Sequence, residues 1–264
     1  MSPNPFILVS PASRGLSLAL TRQFLRTTNL PVYASHRLAG NPKDIKEHIL
    51  APLKDVNPER LRLLNIELTS EDSIATAAES LAKSLKDESD DLSYIHTAFI
   101  TGGVLYPEKQ PSDIDFKRLQ ETFQVNVLSH LLMIKHFSRF LPSQHPQVEI
   151  KDLSKWVHVT ARVGSIADNK RGGWYSYRSS KAALNQVVKT FDLQLQMNRR
   201  KAMCIAVHPG TVKTSLSKDY LGAADPKEVF EPEESAAKLV EVVKNLKENQ
   251  RGMIWDYAGK EIPW

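Results

Sequence analysis

The sequence has little of several things, and each shortage excludes a class of protein. One cysteine, Cys204, stands among 264 residues, so no internal disulfide can form and oxidative folding is not required. The longest unbroken apolar run, Ala202 to Val207, covers six residues, whereas a membrane-spanning helix needs about 18–20. A strand-like run, Phe6-Ile7-Leu8-Val9, begins almost at the first residue, so no signal or transit peptide is expected. The expectation is a cytoplasmic protein with no membrane partner. Positive charge is only mildly in excess, 35 Lys and Arg against 30 Asp and Glu. It is scattered, which argues against the clustered footprint of a nucleic-acid binder. The eight histidines include no His-x-x-x-His pair, so a zinc site is not expected. Gly164-Ser165 lacks the flanking glycine of a nucleophile elbow. No internal repeat and no low-complexity linker divides the chain, and residues 1–264 read as a single domain.

What is present is the ordinary composition of a globular protein, 25% charged and 41% hydrophobic. Short apolar runs alternate with helical patterns. The strand candidates are Phe6–Val9, Val32–Ser35, Arg62–Ile66, Ile95–Ile100, Trp156–Thr160, Met203–His208 and Met253–Trp255. Several are continuously apolar, as strands covered on both faces must be. Phe116, Leu119 and Phe123 recur with helical spacing, as do Leu239, Val242, Val243 and Leu246. Pro232, Glu233 and Glu234 suit a first helical turn. The charged run Lys83–Asp91 and the stretch Pro142 to Gln147 read as surface loops. Strand–helix alternation over the whole chain predicts an α/β fold, a Rossmann-like doubly wound parallel sheet with helices on both faces. In such sheets ligands bind beyond the carboxyl ends of the strands.

At the end of the first strand stands Ser10-Pro11-Ala12-Ser13-Arg14-Gly15-Leu16-Ser17, followed by a helical pattern. This is the place where backbone N–H groups and a helix N-terminus meet a pyrophosphate, although only Gly15 supplies a glycine. The alternative is a plain strand–helix connection. The second strand ends Ala34-Ser35-His36-Arg37, without the acid that would accept from a ribose 2′-OH. Arg37 and Arg14 instead suit a 2′-phosphate through bidentate hydrogen bonds. The cofactor reading is therefore NADP (NADPH).

The segment from Trp174 to Leu184 looks like the start of a long helix, with Tyr177 and Lys181 at i, i+4 on one face. It follows Val159-Thr160-Ala161-Arg162-Val163-Gly164-Ser165 and a Gly172-Gly173 hinge. Together with Ile166-Ala167-Asp168-Asn169, Val125-Asn126-Val127, His208-Pro209-Gly210-Thr211-Val212-Lys213-Thr214 and Asp256 to Trp264, these segments resemble the short-chain dehydrogenase/reductase family. The likeness is greatest to its C-factor-like carbonyl-reductase branch. The resemblance implies hydride transfer between NADP(H) and a small carbonyl or alcohol substrate. It implies Tyr177 as general acid/base, its phenol eased toward ionisation by Lys181, which also bonds the nicotinamide ribose. It implies Asn126 holding a water of the proton relay, Val212 and Thr214 at the carboxamide, and Glu67 and Leu68 framing the adenine. It places Ser10, Arg14, Gly15, Leu16, Arg37 and Gly102 along the cofactor, and implies a homodimer or homotetramer paired through the helices that begin near Phe116 and Tyr177.

The sequence also departs from the family. Ile100-Thr101-Gly102-Gly103 stands in place of Asn-Asn-Ala-Gly, and Ala161 occupies the position of the substrate-orienting serine. Thr160 is the nearest hydroxyl and is expected to supply that function, with Ser165 as a further candidate. Trp174, Tyr175, Tyr220 and Phe230 either line a pocket or pack elsewhere. Ser215 to Glu231 reads as a flap, of the kind that closes over ligands. A second reading stays open: a catalytically impaired NADP-binding protein with a regulatory or interaction role.

Overall fold

The apolar runs expected as strands all form strands, and several of them are buried on both faces. Phe6 to Val9 and Ala202 to Val207 are at most 1% exposed, which only a sheet covered on two sides permits. The computed structural model describes residues 3–37, 41–88, 92–143, 150–223 and 225–264. Among these, the main sheet is built from β1 (Pro3–Ser10), β2 (Val32–His36), β3 (Leu61–Asn65), β4 (Leu92–Ile100), β5 (Ser154–Val159), β6 (Ala202–His208), β9 (Ile254–Asp256) and β10 (Glu261–Ile262). Their order is β10-β9-β6-β5-β4-β1-β2-β3. All neighbours are parallel except the final β9–β10 pair. A separate pair, β7 (Thr211–Val212) and β8 (Val229–Phe230), stands outside that sheet.

Two hydrophobic cores cover the two faces. One joins the sheet to α3 (Glu71–Glu88), α5 (Ser129–Phe137) and α6 (Tyr175–Met197) through Ile74, Leu81, Met133, Phe137, Val188 and Phe191. The other joins it to α1 (Gly15–Thr27), α2 (Pro42–Leu50) and α7 (Pro232–Asn245) through Leu20, Phe24, Ile49, Leu239 and Val243. The expected doubly wound architecture is what forms. Where the sequence suggested a loop over Lys83–Asp91, α3 continues to Glu88, while residues 89–91 lie outside the described residues. Pro142 and Ser143 are irregular, and the rest of that expected loop, 144–147, lies outside the described residues. No helix among the described residues is long and apolar enough to cross a membrane.

The helix expected from Phe116 is longer and less regular than its spacing suggested. It runs as α4 (Phe116–Phe123), a π turn at Gln124–Leu128, then α5. Asp115 caps its start by accepting from the Arg118 N–H. In the wide turn the Ser129 N–H reaches back five residues to the Gln124 carbonyl. The Ser129 hydroxyl covers the neighbouring Val125 carbonyl. Such turns are frequent at functional sites, and this one carries Asn126.

Candidate active site

The strand order reverses between β1 and β4, whose last residues, Ser10 and Ile100, are paired. The crevice beyond them is where a doubly wound sheet holds ligands. On its β1 side, α1 opens at Gly15 with φ +55, a conformation glycine adopts freely. The N-cap residue Arg14 makes no capping bond, and the first turn holds no acid. The positive end of the helix dipole is therefore open to an anion. A β-carbon on Gly15 would lie 3.1 Å from Thr214 Cγ2, so the segment after β7 rests directly on this turn. Arg37 stands exposed at the end of β2, its Nη1 3.9 Å from Glu67 Oε2, a surface pair too weak to hold it. The other Glu67 oxygen accepts from the N–H and hydroxyl of Thr69. Leu68 is buried against Gly102, where a β-carbon would come within 2.9 Å of Leu68 Cδ1.

On the β4 side the turn Thr101–Val104 is held from several elements at once. The Thr101 hydroxyl shares a 2.7 Å bond with Ser17. Asn126 Oδ1 accepts from the Val104 N–H at 2.8 Å, and its Nδ2 donates to the Val104 carbonyl and to Ser180 Oγ, both at 3.0 Å. Ser180 in turn donates to the Tyr177 carbonyl, so Asn126 is tied to the helix that carries Tyr177 and Lys181. A β-carbon on Gly103 would be 3.7 Å from Lys181 Nζ and 3.8 Å from Asn126 Oδ1. Gly103 thus marks where those two side chains converge.

The helix α6 begins after three consecutive residues with positive φ, Gly172, Gly173 and Trp174. The Trp174 ring meets Tyr177 edge-on at 6.1 Å. Glu108, itself buried, accepts from the Ser176 N–H and takes the place of a capping side chain. Tyr177 is 7% exposed, and its hydroxyl has no hydrogen-bond partner among the described residues. Lys181 Nζ lies 5.7 Å from the Tyr177 ring centre and donates to the Val159 carbonyl at 3.0 Å. Burial pushes the Tyr177 phenol up to about 12 and the Lys181 ammonium down to about 8. The phenol was expected to be eased toward ionisation by Lys181; in this structure burial moves it the other way. Gly164 lets the loop after β5 lie on α6, since a β-carbon there would come within 2.7 Å of Lys181 Cβ.

One expectation, that Thr160 supplies the substrate-orienting hydroxyl, is corrected here. Thr160 is 2% exposed, and its hydroxyl donates to Asn185 Oδ1 at 2.7 Å. Asn185 stands eight residues beyond Tyr177 on α6, about 12 Å along the axis, so Thr160 does not turn its hydroxyl toward Tyr177. Ser165 is held by the Trp264 carbonyl and by the Asp168 N–H. Phe230 does not line the crevice with Trp174. It packs on Tyr257, ring centres 4.6 Å apart, and against Gly210. The side chain of Tyr220 lies outside the described residues. The expected flap is anchored at its ends by β7–β8 pairing and by Ser217, which binds Thr214 and Val212.

Sequence reasoning missed Ser180 and Glu108 as parts of the site, and a buried pair of histidines, His130 and His158. His130 follows Asn126 by one helical turn, and His158 alternates with Val157 and Val159 on a buried strand. Those spacings were the available signals.

The crevice suits a nicotinamide dinucleotide: an uncapped helix start, a glycine under Thr214, two exposed arginines, and a Lys181–Asn126 convergence at its inner end. A model of the short chain dehydrogenase family matches residues 5–225. The C-signal protein of Myxococcus xanthus is 31% identical over 152 residues, 58% of this chain and 82% of that protein. The 1-hydroxy-2-glutathionyl-2-methyl-3-butene dehydrogenase of Rhodococcus sp. AD45 is 31% identical over 199 residues, 75% of this chain and 78% of that one. Among solved structures, the NADPH-bound carbonyl reductase from chicken fatty liver superposes with a TM-score of 0.82 at 25% identity, over 100% of both chains.

Proposed function

The chain belongs to the short-chain dehydrogenase family, a family of oxidoreductases, and on that premise we propose that it transfers a hydride between NADP(H) and a small carbonyl or alcohol, with Tyr177 as proton donor and acceptor. The observation that carries the reading is Tyr177, a buried residue whose hydroxyl has no hydrogen-bond partner among the described residues and whose ring centre lies 5.7 Å from Lys181 Nζ. Ser10, Gly15, Leu16 and Arg14 would hold the pyrophosphate end. Arg37 would meet the 2′-phosphate, Glu67, Leu68 and Gly102 the adenosine, Val212 and Thr214 the carboxamide, and Lys181 the inner ribose. When bound, the reduced nicotinamide supplies the hydride. As the substrate carbonyl carbon receives it, the C=O electron pair moves to oxygen, and the Tyr177 O–H gives its proton to that oxygen. A phenol held up to about 12 stays protonated at neutral pH, as a donor must. The Lys181 ammonium then faces the phenolate that remains.

The test is NADPH oxidation against a panel of aldehydes and ketones, beside direct titration with NADPH and NADH. A second reading, an NADP-binding protein without turnover, is favoured by one observation: Ala161 at the serine position, with Thr160 turned to Asn185. NADPH binding with no oxidation by any carbonyl would support it. We also read the exposed apolar side chains Phe116, Leu131, Leu193 and Met197 on α4, α5 and α6 as a face covered by a second copy, in a homodimer or homotetramer. A monomer mass by light scattering would overturn that.

A further inference from the structure

Two fully buried histidines take no part in the chemistry just described, yet one of them ends on the crevice. His130 Nε2 lies 2.9 Å from the Gly102 carbonyl, and its Nδ1 lies 2.8 Å from His158 Nδ1. His158 Nε2 accepts from Trp156 Nε1 at 2.9 Å. The proton positions follow from these partners. The indole N–H can only donate and a carbonyl can only accept. His158 Nε2 is therefore bare and its Nδ1 carries hydrogen. His130 Nδ1 accepts that hydrogen, and His130 Nε2 donates to Gly102. One direction satisfies every atom with both rings neutral: Trp156 to His158 to His130 to the Gly102 carbonyl. A proton added to either ring would set two N–H groups against each other.

We propose that His130 and His158 are positioning residues, whose single-direction chain from Trp156 holds the Gly102–Val104 turn in the shape that receives the cofactor. The proposal rests on the NADP(H) reading above. Among the described residues the other hydrogen bonds on this turn reach the crevice: Thr101 to the Ser10 and Pro11 carbonyls and to Ser17, and Val104 to Asn126. The Gly102 carbonyl is gripped from inside the core. Leu68 closes on Gly102 from one side, and Gly103 borders Lys181 and Asn126 on the other, so rotation of this peptide displaces both ends of the site. The charged group facing the pair is the Lys181 ammonium on α6, which, together with burial, opposes protonation of both rings.

Two variants separate positioning from mere stability, because each loses one bond of the chain. His130→Gln keeps an N–H at the Nε2 place for Gly102 and gives up the acceptor for His158. His130→Asn keeps an acceptor at the Nδ1 place for His158 and releases Gly102. NADPH affinity is measured by calorimetry well below each melting temperature. His130→Asn is expected to bind about tenfold more weakly than wild type, and His130→Gln within about threefold. Equal affinities for the two variants, whatever their melting temperatures, overturn the proposal. Nitrogen-15 histidine spectra of the wild type provide a reading that needs no variant to fold: hydrogen on His130 Nε2 and His158 Nδ1, unchanged between about pH 8 and 6. The opposite tautomers, or titration of either ring in that range, also overturn it. A wild type that binds neither NADPH nor NADH defeats the cofactor reading itself. That outcome is distinct from a wild type that binds and a His130→Asn that binds equally well.

Discussion

Two buried pairs of titratable side chains sit at the same end of the sheet and differ in how their polar atoms are occupied. In the His130–His158 pair every ring nitrogen has a partner, and the chain runs in one direction from Trp156 to Gly102. In the Tyr177–Lys181 pair the hydroxyl has no partner among the described residues, and the ammonium donates to one carbonyl. The histidine pair ends on a backbone carbonyl, whereas in the function proposed above a substrate oxygen would partner the Tyr177 hydroxyl. Both pairs are moved by burial in the direction that favours the neutral form, but only the first is prevented from changing state by its own hydrogen bonds.

Removing the unsatisfied hydroxyl has the largest expected effect. Tyr177→Phe keeps the ring against Trp174 and removes only the O–H. Turnover is expected to fall by about 10²–10⁴, the range for a positioned general acid, with NADPH affinity nearly unchanged. Steady-state NADPH oxidation and cofactor titration measure both. Full activity in Tyr177→Phe would mean that the proton comes from elsewhere, and the contrast between the two pairs would lose its functional meaning.

The satisfied pair is exposed by acid. Burial holds His130 down to about 3, and His158 well below its ordinary value. The folded state therefore binds fewer protons than the unfolded chain as pH falls below about 6.5. The stability from the neutral pair is fully present above about 6.5 and is lost as pH falls toward the folded values, by roughly 1.4 kcal/mol per pH unit for each histidine. His208, held down to about 4, adds to the same trend. Denaturant unfolding at several pH values should show a shallower acid slope in His130→Gln than in wild type. Identical slopes would mean that the pair is not what acid breaks.

How much of this could be read in the sequence depends on how far apart the partners lie. The strands were legible because a run such as Phe6–Val9 can be buried only between two layers. Tyr177 and Lys181 were legible because four residues on a helix is one face. The His130–His158 contact joins α5 to β5 across 28 residues, and no local spacing announces it. The direction of the Thr160 hydroxyl depends on where β5 ends, and a shift of one residue there reverses the face. The π turn at Gln124–Leu128 has no glycine or proline to mark it. For Phe230 the two alternatives, lining a pocket or packing elsewhere, stayed open because Gly210 and Tyr257, which enclose it, are distant in sequence.

A smaller effect is expected at the far end of the crevice. Arg37 is exposed and only loosely paired with Glu67. Arg37→Ala should weaken NADPH by about 1–2 kcal/mol, roughly a five- to thirty-fold change, through the lost charged hydrogen bond. NADH, which lacks the 2′-phosphate, should be unaffected. Equal losses for both cofactors in calorimetry would remove Arg37 from the 2′-phosphate site while leaving the inner site untouched.

The smallest expected effect on activity comes from Thr160, which belongs with the satisfied group although it lies next to the unsatisfied one. Its hydroxyl donates to Asn185, and Asn185 Nδ2 donates to the Gly164 carbonyl, so the bond steadies the loop after β5. Thr160→Val keeps the branched shape and removes the donor, leaving Asn185 Oδ1 without that partner. Stability should fall by about 1–3 kcal/mol, the cost of a buried acceptor left unpaired. The turnover number should stay within about twofold, because a hydroxyl aimed two helical turns beyond Tyr177 cannot orient a carbonyl beside it. A group that oriented the substrate oxygen in the transition state would be worth far more, about 10²–10³ in turnover. Chemical denaturation and steady-state kinetics on the same preparation distinguish the two cases. A turnover loss of that size with stability unchanged would return Thr160 to the reacting centre.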